Sequence, residues 1–460
     1  MIEIIPLDTA SLGDRSYVAH DGTVAVVVDP QRDIDRVLAI TEPRRLRITH
    51  VFETHIHNDY VTGGFRLAEQ VGAQYCVNAD DPVAYERVPV RDGDVIETGQ
   101  MRVRVIHTPG HTFTHLSFAI SDLDGNPAGV FTGGSLLFGS TGRPDLLGFE
   151  FADRLARHQW SSAARLAREL PDETAVFPTH GFGSFCSATQ AEGLSSTIGN
   201  EKATNPVLTQ SEDEYVDELI AGLVAYPAYY AHMGPTNASG PGDIDLTPPA
   251  QADPAELRRR IEAGEWVVDL RTRTAFAAGH LPQSYNVGLD NSFVTYLGWL
   301  IPWGTPVTLL GETADDVAEA QREMVRIGID RPAAMATGKP EDWTGGEPLA
   351  SYPVVAYADL AAARAEGADP YVIDMRRDDE RRDGYIVGTE HLPLHELLGR
   401  IDEVPEDRPV WLHCAAGFRA SIGASILQAA GRDVVLVDGD FYPNAITAGL
   451  EMGAEQPAHA

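Results

Sequence analysis

Lysine is nearly missing from this chain: Lys202 and Lys339 are lysines, and the rest of its 35 basic residues are Arg. Against 68 acidic residues they leave a net charge of -33, which argues against a nucleic-acid partner, since a phosphate backbone demands a surplus of positive charge. The bias towards Arg itself reads as genome composition or salt adaptation. Cysteine is scarce as well. Cys76, Cys186 and Cys414 are too few and too scattered for a disulfide scaffold, so the chain reads as a reduced-compartment protein in which one thiol can be reactive. No apolar run is long enough to span a bilayer, and Met1-Ile2-Glu3-Ile4-Ile5 lacks the basic start and long apolar segment of a signal peptide. The expectation is a cytoplasmic protein with no membrane partner.

A chain of 460 residues has room for about three domains, each able to bury a core. The first section alternates β-rich runs (Thr23 to Val28, Ile48 to Phe52, Met101 to Ile106, Leu116 to Ile120, Gly129 to Thr132, Ala175 to Pro178) with helical patterns at Asp33 to Ile40 and Arg154 to Leu170. That is an α/β pattern. A polar, partly helical stretch from Gln190 to Leu223 leads to the Gly-, Pro- and Ser-rich segment Met233 to Gly242, which predicts a linker over 235–252 after a first domain over 1–234. Beyond it one plan occurs twice. A helical segment (Ala255 to Ala263; Tyr357 to Glu366) precedes a strand ending in Asp-x-Arg (Asp269, Arg271; Asp374, Arg376), then a His-Leu-Pro segment (His280; His391). The Pro- and Gly-rich stretch from Gly338 to Leu349 separates the two copies, giving domains over 253–345 and 346–460.

In the first domain, Glu53-Thr54-His55-Ile56-His57-Asn58-Asp59-Tyr60 follows a β-prone run. Alternate residues leaving a strand point to one side, so His55, His57 and Asp59 can converge as metal ligands. Pro109-Gly110-His111 supplies a further candidate, completing a three-His site with His55 and His57, with Asp59 as a ligand or as a partner behind it. His107 and His115, which flank the same loop, read as solvated or supporting residues.

The second copy of the repeat carries Trp411-Leu412-His413-Cys414-Ala415-Ala416-Gly417-Phe418-Arg419, an apolar strand turning at Cys414 into a helix. A thiol there faces unpaired N–H groups and the positive end of the helix dipole, which favours the thiolate, and Arg419 can add a cation. The bland alternative is a buried Cys acting as a small hydrophobe. The first copy places Gly311-Glu312-Thr313 at the equivalent turn and has no thiol there, so it reads as a structural or docking module.

These motifs resemble two families. The His-x-His-x-Asp loop, with His111 and His180, is similar to the metallo-β-lactamase superfamily. The paired Asp-x-Arg strands and the Cys-x-x-Gly-x-Arg loop resemble rhodanese domains. Tyrosine phosphatases and arsenate reductases share the Cys-to-Arg spacing, but phosphatases use a longer loop. The resemblance implies α/β and α+β architecture: an αββα sandwich followed by two rhodanese-like domains.

Tyr60 stands where the superfamily has a further His, and Gly134, in Thr132-Gly133-Gly134, where it has a bridging Asp. A dinuclear hydrolase is thereby disfavoured. Persulfide dioxygenases, which occur fused to rhodanese domains, are the most similar relatives. The resemblance implies one metal ion, Fe(II) before Zn(II), bound by residues from the set His55, His57, Asp59, His111 and His180. It also implies Cys414 and Arg419 as catalytic residues, Gly417 as a backbone donor to bound sulfur, and a low-molecular-weight thiol persulfide or thiosulfate as substrate. Arg143 is a candidate anchor for an anionic thiol, with an ion pair to Asp145 as the equal alternative. Homo-oligomers are common in this architecture. The alternatives are a sulfurtransferase whose first domain is inert, and a zinc-dependent thioester hydrolase of the glyoxalase II kind.

Overall fold

A computed structural model describes residues 1–189, 193–290 and 292–454; the first three residues of the polar stretch expected from Gln190 lie outside them. The chain forms two compact units, one of Met1–Asp245 with Arg322–Asp330 and one of Leu246–Gln321 with Arg331–Ala460.

The first unit is built from two six-stranded sheets. One runs in the order β1 (Glu3–Thr9), β2 (Asp14–His20), β3 (Val24–Val28), β4 (Arg47–Phe52), β5 (Gln74–Asn78), β6 (Val88–Val90). The other contains β7 (Val95–Thr98), β8 (Met101–His107), β9 (Leu116–Asp122), β10 (Pro127–Gly133), β11 (Ala175–Pro178) and β12 (Ser196–Thr197), in the order 12-11-10-9-8-7. Strand β3 shows why they stack. Its Val24, Val26 and Val28 enter a core shared with Val103, Val105, Phe118 and Phe131 of the second sheet. Its Ala25 and Val27 face the other way, onto Val37 of helix α1 (Asp35–Thr41) and Leu67 of α2 (Gly64–Val71). A strand covered on both faces can be apolar throughout, which is what Val-Ala-Val-Val-Val is. On the far side of the second sheet, Ile106 and Val130 pack with Ala156, Ala163 and Leu166 of α3 (Ala152–Glu169). The layers are therefore α, β, β, α, as expected from the resemblance.

The segment predicted as a linker from residue 235 begins instead inside a helix, α4 (Tyr230–Ser239), with Pro235 in its interior. Composition pointed to coil, but tertiary anchoring prevails: Tyr230, Met233 and Asn237 are buried on this helix. Among the described residues no helix is long and apolar enough to cross a membrane.

In the second unit the two copies each form a parallel sheet. The first is ordered β14 (Tyr285–Asn286), β13 (Trp266–Asp269), β15 (Val307–Gly311), β16 (Ala334–Thr337). The second is ordered β17 (Val354–Val355), β21 (Val434–Val437), β20 (Val410–His413), β18 (Tyr371–Asp374), β19 (Glu390–His391). The repeated Asp-x-Arg is a clamp that shapes the chain after the strand. Arg271 grips Asp269 and donates to the Gly279 carbonyl at 2.9 Å, and Arg376 grips Asp374 and donates to the Gly384 carbonyl at 2.8 Å. Each buried guanidinium thus finds both a countercharge and a carbonyl.

Candidate metal centre and thiol site

Strand β4 ends at Phe52, and the chain then turns through the His-x-His-x-Asp loop under the control of a buried acid. Asp29, at the end of β3, accepts from the Thr54 N–H and the Thr54 hydroxyl, both at 2.7 Å, and from the Thr179 hydroxyl. Because the Thr54 proton goes to a carboxylate, its oxygen can only accept from His55 Nδ1, 2.9 Å away. The Nε2 of His55 is therefore a free lone pair. The same logic applies to the other imidazoles. His111 Nδ1 donates to the Arg143 carbonyl at 2.8 Å, leaving a buried Nε2 with no partner. His180 Nδ1 faces Asp14 at 2.9 Å and Asp59 at 3.1 Å, so its Nε2 points at His55 Nε2, 3.4 Å away. His57 turns Nε2 towards Glu53 (3.2 Å) and Asp29 (3.3 Å), and its buried Nδ1 has no partner.

Four imidazoles thus aim ring nitrogens into a buried cluster, each oriented by a group behind it. His55, His57 and His180 bring donor atoms within 4.8 Å of one another, as do His111, His180 and Cys186. Two lone pairs facing each other at His55 and His180 repel unless a cation or a proton lies between them. The orphaned nitrogens of His57 and His111 have no explanation in the protein alone. The residues fit a metal ion held mainly by imidazole. Electrostatics divide the set. Burial favours the neutral ring throughout, and with neighbouring His180 it lowers His111 to about 3. For His57 and His180 burial is outweighed by carboxylates, Asp29 lifting the first to about 10 and Asp59 the second to about 9.

His180 is the hub of the cluster, shared by three of the donor groups. Asp59 lies behind it, one oxygen towards His180 and the other, Oδ1, buried without a partner. Tyr60 stacks on His57 with ring centroids 4.3 Å apart, and its hydroxyl donates to the Asp29 carbonyl. His115 is buried and accepts the Gly134 N–H at 3.0 Å, which makes it a wall of the site rather than a solvated residue. Gly134 is more than a missing ligand. A Cβ there would lie 2.4 Å from His111 Cδ2, so the His111 ring stands where a side chain would begin. Arg143 is buried, with its guanidinium on Asp145 at 2.7 and 2.8 Å and on the Val224 carbonyl at 2.7 Å. The ion-pair alternative is the arrangement seen, and these donors are engaged within the protein.

Sequence reasoning missed the supporting acids Asp14 and Asp29 and missed Asn237. The Asn237 amide donates to the His57 and Tyr60 carbonyls at 2.9 and 2.8 Å and accepts the Thr62 N–H at 2.9 Å, stapling the metal loop to α4. Asp29, an acid closing an apolar strand, carried a usable signal. Asn237 sat in a segment dismissed as linker.

In the second unit Cys414 ends β20 and is buried beneath the start of helix α5 (Phe418–Ala429). The Gly417 N–H points at its sulfur, 3.2 Å away. Gly417 adopts φ 89°, and a Cβ there would lie 2.0 Å from Asp438 Oδ1, so the turn requires glycine. Arg419 is pinned by Glu380 through bonds of 2.5 and 2.6 Å, which fixes its position beside the loop and offsets its charge. The first copy closes over the same loop: Tyr296 lies 5.8 Å from Phe418, centroid to centroid, and Arg273 bonds Asp438 at 2.7 Å.

Comparisons with known proteins agree with this layout. Residues 15–180 match the metallo-beta-lactamase superfamily, and residues 253–343 and 357–443 each match the rhodanese-like domain. A hydroxyacylglutathione hydrolase of Rhizobium johnstonii is 30% identical over 237 residues, 46% of this chain and 87% of that protein. The mitochondrial persulfide dioxygenase ETHE1 of Homo sapiens is 27% identical over 53% of this chain and 82% of its own length. A crystal structure of a metallo-beta-lactamase from Staphylococcus aureus, 28% identical, superposes with a TM-score of 0.65 and covers 74% of this chain and 99% of its own.

Proposed function

Because the chain belongs to the metallo-β-lactamase superfamily and carries two rhodanese-like domains behind that fold, we propose that it processes sulfane sulfur: a low-molecular-weight persulfide is oxidised at the imidazole centre and sulfur is relayed through Cys414. The observation that carries the reading is the setting of Cys414, a sulfur between strand and helix with the Gly417 N–H aimed at it. In the transfer step the Cys414 thiolate attacks the outer sulfur of a persulfide. The S–S bond breaks, the carrier leaves as a thiol, and Cys414 holds the persulfide until an acceptor thiol reverses the exchange. The Gly417 N–H stabilises the anionic terminal sulfur, and Glu380 keeps Arg419 in place beside it.

At the other centre His55, His57, His111 and His180 would hold the metal, with Fe(II) favoured. A bound iron would supply a Lewis-acidic, redox-active position for the conversion of persulfide, dioxygen and water to thiol and sulfite. The protein's own part is to orient those imidazoles so that each turns one ring nitrogen to the inner face. Asp14 and Asp59 hold the His180 Nδ1 proton, Thr54 accepts that of His55, and Arg143 accepts that of His111 through its carbonyl. Dioxygen uptake by anaerobically purified, iron-loaded protein with a panel of persulfides tests the first half, and absence of uptake with every one would refute it. Sulfur transfer to cyanide tests the second. Cys414→Ala is expected to abolish transfer and spare dioxygen uptake, and transfer undiminished in that variant would refute the relay.

The nitrogen-dominated donor set favours a second reading, a Zn(II) hydrolase of thioesters, since imidazole suits zinc as well as iron. Thioester hydrolysis by the zinc form, without persulfide oxidation by the iron form, would establish it.

A further inference from the structure

Beside the metal centre a cavity of about 500 Å³ opens in the first unit. It is built partly from the loops that carry the ligands: Ile56 and Asn58 lie among His55, His57 and Asp59 along the chain, and Thr112 follows His111. Phe113, Leu147 and Tyr230 complete much of its apolar wall. Among the described residues that line it there is no Arg, Lys or His. The one charged lining residue is an acid, Asp81, 5% exposed.

Two cations lie nearby and neither lines the cavity. Arg87 donates to the carbonyls of Ala79 and Asp81, both at 2.9 Å, and Arg154 sits over the Phe113 ring at 5.0 Å without contributing to the lining. Arg143 is held by Asp145.

A carboxylate entering such a cavity would lose its water, find no countercharge and meet Asp81. Burying a charge without a partner is among the most unfavourable events in recognition, and a like charge adds repulsion. A hydroxyl or ammonium would instead find an acceptor in the Asp81 carboxylate. We infer that this cavity selects a persulfide whose thiol carrier has no carboxylate and presents a hydroxyl or amine to Asp81, and that a dicarboxylate carrier such as glutathione is excluded. The inference rests on the proposed persulfide chemistry for its sulfur, but the pocket's selectivity is a property of binding alone.

The test uses unreactive thioethers, S-methylcysteamine, S-methylthioglycerol and S-methylglutathione, titrated calorimetrically into the full-length, metal-loaded protein. The amine and hydroxyl thioethers are expected to bind at least about tenfold more tightly than S-methylglutathione. Asp81→Asn should erase the preference for the amine, and Leu147→Arg, at the exposed rim, should improve S-methylglutathione binding by about tenfold. S-methylglutathione binding as tightly as the other two, or no thioether binding at all, would overturn the assignment. Since no turnover is involved, selective binding without persulfide oxidation would refute the proposed reaction and leave the pocket's selectivity standing. Oxidation of glutathione persulfide in preference to the others would do the reverse.

Discussion

Adding a single methyl group at residue 134 should disturb the metal centre from within. The Cβ of Gly134→Ala would lie 2.4 Å from His111 Cδ2 and 2.6 Å from Cγ, where carbon atoms pack best about 1 Å or more further apart. The His111 ring has little room to retreat. Its Nδ1 is bonded to the Arg143 carbonyl at 2.8 Å, and Gly142 approaches the same nitrogen so closely that a Cβ there would lie 2.7 Å away. The Gly134 backbone is also held, its carbonyl accepting from Gly142 N at 2.8 Å and from Gln159 Nε2 at 2.9 Å. Overpacking of this kind costs about 1–3 kcal/mol, and any rotation of the ring moves Nε2 off its aim. Peptide-resolved hydrogen exchange over residues 53–60 and 109–116, with metal content per chain, reads both effects. Faster exchange and lower metal occupancy are expected for Gly134→Ala, and for Gly134→Asp, which adds a carboxylate but meets the same conflict. Wild-type exchange and full occupancy in Gly134→Ala, or a gain of metal in Gly134→Asp, would refute the packing argument.

Asn237→Ala should strand two buried carbonyls and one N–H of the metal loop at a cost of about 2–3 kcal/mol, seen as faster metal loss to a chelator. Gly417→Ala should slow sulfur transfer by about tenfold or more, since its Cβ meets Asp438 and its φ of 89° is strained for alanine; unchanged transfer would mean that the turn is not fixed as described. The second copy should weaken in acid. Burial lowers His413 to about 4 from 6.5, so its neutral form supports folding above pH 6.5 and that support falls away as pH drops towards 4, by about 3 kcal/mol in all. His413→Phe should flatten that part of the acid unfolding curve, and an unaltered slope would remove His413 as its source.

Much of this was legible in the sequence because it depends on local spacing. Alternation put His55, His57 and Asp59 on one loop, and the strand-turn-helix around Cys414 follows from an apolar run, a glycine and a helical pattern. What was hidden depends on residues far apart in the chain. Asp29 acts on Thr54 and Thr179, Asp14 on His180, and Asn237 on His57, pairings set by how strands and helices stack rather than by any local pattern. Gly134 shows the limit from the other side. Sequence comparison identifies a lost carboxylate, whereas the packing shows that the vacated volume is already filled by His111.

The paired Arg clamps carry a lesson for reading other chains. Arg271 and Arg376 make the same reach to a carboxylate two residues back and to a carbonyl eight residues on, yet one copy has a cysteine at its turn and the other has none. The clamp therefore belongs to the scaffold and does not depend on the cysteine. A genome survey that counted active sulfurtransferases by Asp-x-Arg would score this chain twice, and one that demanded the cysteine turn would score it once. The first number counts domains, and the second counts cysteine turns.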